Sequence, residues 1–152
     1  MQFKKYSHQY WMLQALELAQ NIKDEIPIAA LIVKNNDLIS EATNKTEFLQ
    51  DPTAHAEILA IKETAKILNN WRLNDCILYT TLEPCAMCTG AILNSRISTL
   101  VFGAYDLNAG TCSSVTNLIN TLNKDNQTQI VGGILELETS KLIKDFFINK
   151  RI

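Results

Sequence analysis

Residues 82–91 read LEPCAMCTGA, and residues 55–58 read HAEI. In the first stretch Cys85 and Cys88 stand three apart, directly after Pro84. Proline lacks an N–H and has a fixed φ, so it suits the opening of a helix. An i, i+3 spacing then puts both sulfurs on one helix face, where unpaired backbone N–H groups and the helix dipole favour thiolates. Upstream, CILYTTLE (76–83) is rich in β-branched and aromatic residues and predicts a strand running into that turn. His55 likewise opens a predicted helix, AHAEILAIKETAKIL (54–68), with Thr53 as its expected N-cap. Residues two apart on an ideal helix point ~200° away from each other. In a first turn, however, His55 and Glu57 both reach a point just beyond the helix end. Two helix starts thus converge on one place.

Working outward, Ser7 is placed to cap a first helix reaching about Lys23, with Tyr10, Leu13, Leu16 and Leu18 as its expected apolar residues. After Pro27, IAALIVK (28–34) predicts a strand. The turn Asn35-Asn36-Asp37 returns it as LISEA (38–42), a hairpin. A polar loop over 43–53 follows. Beyond the cysteines, ISTLVFGA (97–104) predicts a strand, 105–113 a loop of small and polar residues, and 114–122 a short helix. TQIVGGIL (128–135) predicts a strand containing a glycine pair. TSKLIKDFFINKRI (139–152) predicts an amphipathic helix with Leu142, Ile143, Phe146 and Phe147 on its apolar side. A hairpin followed by alternating strands and helices implies a three-layer α/β/α domain with a mixed sheet of about five strands, one domain over residues 1–152.

Composition narrows the function classes. Hydrophobic residues make up 47% of the chain and charged ones 20%, as in an ordinary globular domain. No apolar run approaches the ~18 residues of a membrane helix. The N-terminal residues carry no clean apolar core of a signal peptide, so the cytoplasm is the expected location. A reducing cytoplasm argues against structural disulfides among Cys76, Cys85, Cys88 and Cys112. The net charge of −2 excludes a broad positive field for general nucleic-acid binding.

A close cysteine pair then asks for metal or redox chemistry. A thioredoxin-like redox pair is one reading, but it leaves Glu57 without a role. A structural zinc is another, since Cys76 and Cys112 offer a fourth ligand. The third is a catalytic zinc, which takes three protein ligands and keeps one position open. Two thiolates and one neutral imidazole meet that count and roughly cancel the charge of Zn²⁺. His8 and His55 are the two histidines in the chain, and His8 reads as a helix-end residue. His55, Cys85 and Cys88 are the expected ligands of one zinc per chain, with Glu57 placed to touch the metal-bound water.

HAE followed by PCAMC resembles the H-x-E…P-C-x-x-C signature of the zinc-dependent cytidine/deoxycytidylate deaminase superfamily, and that resemblance implies that Glu57 transfers protons as a general acid/base and is not a zinc ligand. SHQYWMLQALELA, PTAHAEILAI, LYTTLEPCAMCTGAILNSRI, VFGAYD and DFFINKR are similar, block after block from Ser7 to Arg151, to the bacterial tRNA-specific adenosine deaminases, the TadA family. The resemblance implies a cytidine-deaminase-like fold and a homodimer. It implies hydrolytic conversion of adenosine to inosine at the wobble position of a tRNA anticodon arm. It also implies that Asn44 contacts the flipped base, that Ile26 and Pro27 wall the pocket, and that Asp106 lies beside the substrate nucleotide. Phe146 and Phe147 would set the last helix over the anticodon loop, with Lys150 and Arg151 near phosphates. The chain departs from the family pattern at Tyr105, where a basic residue is usual, and at Ala29, where a glycine is usual. The alternative within the superfamily is a free nucleobase or nucleoside deaminase acting on guanine or cytosine, which shares His55, Glu57, Cys85 and Cys88. Outside it stands a zinc-binding RNA module without chemistry, against which Glu57 argues.

Overall fold

A computed structural model describes residues 1–150. The elements run α1 (His8–Gln20), β1 (Ala29–Lys34), β2 (Asp37–Thr43), α2 (Thr46–Leu49), α3 (Ala56–Leu68) and β3 (Cys76–Leu82). They continue with α4 (Ala86–Asn94), β4 (Thr99–Ala104), α5 (Leu118–Leu122), β5 (Gln129–Val131) and α6 (Glu136–Lys150). The strands form one five-stranded sheet in the order β2-β1-β3-β4-β5. The β1–β2 and β1–β3 pairs are antiparallel, while β3–β4 and β4–β5 are parallel. The expected mixed sheet with helices on both faces is the fold observed.

Alternation along the strands assigns the two faces. Ala30, Ile32, Leu78, Leu100 and Phe102 point to one side and pack with Ala56 and Ala60 of α3, Ile92 of α4 and Ile119 of α5. Leu31, Val33, Tyr79 and Val101 point to the other and meet Trp11, Met12 and Ala15 of α1. On that second face α6 crosses close above β4 at Gly103. A Cβ there would lie 2.7 Å from Thr139 Oγ1 and 2.8 Å from the Thr81 carbonyl oxygen.

The structure corrects several expected boundaries. Ser7 does cap α1, accepting the Tyr10 N–H at 3.1 Å, but the buried stripe is Trp11, Met12, Ala15, Leu16 and Ala19. It is rotated from the expected set because Trp11 and Met12 offer more area to bury than Tyr10 and Leu13. Thr53 does not cap α3. Its N–H and hydroxyl are both taken by the Asp51 carboxylate, at 2.8 and 2.7 Å, and His55 holds the cap position instead. The loop 43–53 contains α2. The predicted helix 114–122 is confined to its last turn, 118–122. The strand 128–135 pairs over only three residues. Gly132 leaves the sheet where a Cβ would meet the Phe102 ring at 2.4 Å, and Gly133 turns the chain with φ +82°. As a result α6 starts at Glu136, earlier than expected.

Candidate metal centre and active site

Strand β3 carries the chain to Glu83-Pro84, and α4 begins immediately after. Cys85 occupies the N-cap position with φ −77° and ψ 177°, and Cys88 lies one turn in. His55 occupies the N-cap position of α3 with φ −72° and ψ 150°. Neither cap residue bonds its own helix through its side chain. Both are left free to face each other. His55 Nδ1 lies 3.6 Å from Cys85 Sγ and 3.5 Å from Cys88 Sγ. The three ligand atoms all fall within 4.8 Å of one another, which makes this trio a candidate metal site. Among the described residues no other such group occurs. Cys76 and Cys112 are buried outside it, and Cys112 Sγ instead lies 3.8 Å from the Thr89 hydroxyl. His8 is also elsewhere, its Nδ1 2.9 Å from the Tyr79 hydroxyl.

Glu57 is buried at 4% exposure. It accepts a hydrogen bond from Thr80 of β3 at 3.2 Å, and its other oxygen faces Cys88 Sγ at 3.6 Å. Burial raises its carboxyl above the ordinary range, so it holds a proton more readily than a surface glutamate. The Cys85 thiol is lowered to about 4 by the bond from Cys88, with His55 assisting, whereas the same bond and burial push the Cys88 thiol up.

These groups open into a cavity of about 780 Å³. His55, Glu57 and Cys85 line its buried end; Ile26, Ile28 and Asn44 form one wall. Residues 105–109 and the α6 residues Ser140, Ile143, Lys144, Phe147 and Ile148 form the outer part. Asn44 is buried and donates from Nδ2 to Glu25 at 3.4 Å. Pro27 is buried but does not line the cavity. It sits at the centre of a tight turn closed by the Ile28 N–H on the Ile26 carbonyl at 2.8 Å, and the flanking Ile26 and Ile28 line the cavity instead. Phe146 does not line the cavity either. One residue of helix turns it away, and it packs edge-on against Phe147 at 5.3 Å with Lys150 Nζ 5.0 Å over its ring. Asp106 and Phe147 are in the lining; Lys150 is exposed outside it. Arg151 lies outside the described residues. Tyr105 lines the rim and packs edge-on against Phe102 at 5.2 Å. Ala29 is fully buried, its N–H held by Thr81 Oγ1 at 3.2 Å.

Sequence reading missed two acids. Glu25 is buried and accepts from the Phe48 N–H at 2.7 Å as well as from Asn44 and Thr46. Glu83 is 1% exposed and gathers the loop 106–114. Burial disfavours its charge, but hydrogen bonds from Ser114, Cys112 and Ser113 outweigh that and leave its carboxyl below the ordinary range. The signal available in the sequence was the position itself: an acid at the buried end of a strand, next to the proline of the cysteine turn, requires partners.

The chain matches the family model described as MafB19-like deaminase over residues 6–151. It is 40% identical over 139 residues to the tRNA-specific adenosine deaminase of Bacillus subtilis, covering 90% of this chain and 86% of that protein. With the corresponding protein of Aquifex aeolicus it shares 43% identity over 141 residues, 91% of this chain and 93% of that one. A structure from a study of A-to-I editing by tRNA:A34 deaminases superposes with a TM-score of 0.79 at 33% identity, covering 88% of this chain and 98% of that chain. The guanine deaminase of Nitrosomonas europaea superposes with a TM-score of 0.80 at 26% identity, covering 92% and 84%. With its sheet order, its His/Cys/Cys trio and these matches over nearly its whole length, the chain belongs to the MafB19-like deaminases and, within them, to the tRNA-specific adenosine deaminase family.

Proposed function

We propose that the protein hydrolyses adenosine to inosine at the wobble position of a tRNA anticodon arm, as one deaminase domain over residues 1–152 acting in the cytoplasm. The observation that carries the reading is a buried carboxylate, Glu57, within 3.6 Å of a cysteine of the His/Cys/Cys trio at the closed end of a large cavity. Family membership narrows the substrate. The trio fits zinc: a tetrahedral ion with Zn–S of ~2.3 Å and Zn–N of ~2.0 Å requires sulfur and nitrogen about 3.5 Å apart. The Nδ1–Sγ distances are 3.5 and 3.6 Å. His55, Cys85 and Cys88 would hold one ion per chain, with Glu57 outside the ligand set. When bound, zinc supplies Lewis-acid activation of water near neutral pH.

The chain's own residues do the rest. Glu57, oriented by Thr80, takes one proton from the attacking water and gives it to a ring nitrogen of the base as the new C–O bond forms. It then takes the second proton from the new hydroxyl and gives it to the amino group, which leaves as ammonia as the C–N bond breaks. Its raised proton affinity suits a group that must both accept and give. Ile26 and Ile28 form apolar walls for a base, and Asn44, held by Glu25, offers it a fixed polar edge. Lys144 and Phe147 stand on the outer wall, where the rest of a polynucleotide would pass. With few positive groups beside the cavity, binding rests on the base pocket, stacking and a handful of phosphates, consistent with the net charge of −2. A homodimer completes the reading. On α4, Ala86 is exposed and Met87, Gly90, Ala91 and Leu93 are only half-buried; a Cβ at Gly90 would meet nothing within 4 Å. This small, apolar face suits close approach by a second copy.

The likeness to guanine deaminase keeps a second reading in view, a free-base deaminase with the same metal trio. An anticodon stem-loop carrying adenosine at the wobble position separates the two. The expected result is inosine in the loop by mass spectrometry, with equimolar ammonia and much lower kcat/KM on free adenosine, which lacks the remote contacts. Faster turnover of guanine or cytidine than of the stem-loop would overturn the tRNA reading.

A further inference from the structure

We propose that Glu83 is a positioning residue for the substrate, acting by holding the outer loop of the cavity on the segment that carries the metal cysteines. The proposal rests on the deaminase reading above for the identity of the substrate, and on the following contacts for the role of the residue.

Glu83 lies between β3 and the Pro84-Cys85 turn, with its backbone N–H donating to the Ala104 carbonyl at 2.8 Å. One oxygen of its carboxylate accepts the Asp106 N–H at 3.2 Å and the Ser114 hydroxyl. The other accepts the N–H groups of Cys112, Ser113 and Ser114 at 2.9, 2.9 and 3.1 Å. Five donors from one loop thus converge on one buried side chain. Three successive N–H groups pointing at one oxygen form an anion-binding concavity, and here the anion is built into the chain. Gly110 makes the wrap possible, since a Cβ there would come 2.5 Å from the Glu83 carboxyl carbon and from the Asp106 carbonyl oxygen.

Thr111 ties the same loop down from the other end. Its N–H and hydroxyl reach the Pro84 carbonyl at 3.0 and 3.1 Å, and its hydroxyl meets Thr89, beside Cys88, at 2.8 Å. The metal trio is half-buried or buried, whereas Tyr105, Leu107, Asn108 and Ala109 on this loop are exposed yet line the cavity. The loop therefore meets the parts of a substrate remote from the reacting base. Contacts of that kind set how well a large substrate is held, and they are lost when the loop must be ordered anew at each binding event. Trp71, exposed with Arg72 stacked at 4.3 Å, has its cation already in place.

The test compares the zinc-loaded wild type with Glu83→Gln and with Ser114→Ala, a milder change that removes one hydroxyl donor. The neutral amide of Gln keeps the size but weakens five charge-assisted bonds. For Glu83→Gln, KM for the anticodon stem-loop is expected to rise by about tenfold while kcat falls by less, with one zinc per chain retained. Hydrogen exchange at the amides of Cys112, Ser113 and Ser114 is expected to accelerate while that of α3 does not. Ser114→Ala should show a smaller change in the same direction. Loss of zinc would overturn the proposal in favour of a role through the metal. An unchanged KM, or undisturbed loop amides, would overturn it outright. If the wild type fails to deaminate the stem-loop but turns over guanine or cytidine, the tRNA reading fails. The same constants on that substrate, with the exchange rates, then decide the role of Glu83 alone.

Discussion

At the scale of single residues, two neighbours in the site have opposite expected phenotypes. Glu57 faces Cys88 Sγ and Thr80 and lies outside the trio of ligand atoms. Glu57→Ala should keep zinc, by elemental analysis, and lose turnover by a factor of roughly 10²–10⁴, as for removal of a general acid/base. Retention of more than a tenth of the wild-type kcat would remove its proton-transfer role. Cys85→Ala should instead lose the metal and lower the melting temperature, because metal binding contributes to folding. Full zinc occupancy in that variant would take Cys85 out of the ligand set. HxE and CxxC were legible as a pair because each stands at a predicted helix start. Glu83 carried one local signal, its place at a strand end beside Pro84, but nothing local named its partners, and Glu25 carried no such signal. Their partners lie 23–31 residues away for Glu83 and 19–23 for Glu25.

At the scale of elements, α6 lies over β4 at Gly103 and lends five side chains to the cavity wall. Deleting residues 146–152 should weaken stem-loop binding, measured by titration, and leave zinc in place. Intact affinity would show that the tail takes no part. The positive groups of this helix, Lys141, Lys144 and Lys150, together with Arg151 beyond it, are few, and Lys141 is paired with Asp145. Affinity should fall gently with salt, as for roughly two to four phosphate contacts. Gly103→Ala would push a methyl into Thr139 and the β3 backbone. The expected cost is about 1–3 kcal/mol of overpacking, read as a lower melting temperature. An unchanged melting temperature would mean that α6 sits less tightly on the sheet. The helix pattern of 139–152 was visible in the sequence, but its true start at Glu136 was not. That boundary depends on Gly132 having to clear the Phe102 ring.

At the scale of the whole molecule, one sheet with helices on both faces buries Leu78 and Tyr79 alike, yet α4 keeps a small, half-exposed face. The proposed homodimer would put that face against another copy. Sedimentation at micromolar concentration should give about twice the 17.1 kDa chain mass. A monomer at that concentration would count against the interface. Among the described residues no helix is long and apolar enough to cross a membrane.

The sequence by itself determined the class of fold, the mixed sheet and the pairing of HAE with PCAMC. Each of these follows from local rules: period-2 and helical hydrophobic patterns, a proline before a helix, and ligand types at helix starts. Only the tertiary structure decided which residues wall the cavity. Ile28 takes the place expected of Pro27, because Pro27 sits at the centre of a tight turn closed by the Ile28 N–H on the Ile26 carbonyl, and the residues flanking that turn line the cavity. Phe147 faces the cavity and Phe146 does not, because the rotation of a helix is set by what lies beneath it, here Thr139 on Gly103. Glu83 holds its loop through long-range donors that come together only once β3, β4 and α4 have packed, and a linear pattern carries no record of that convergence.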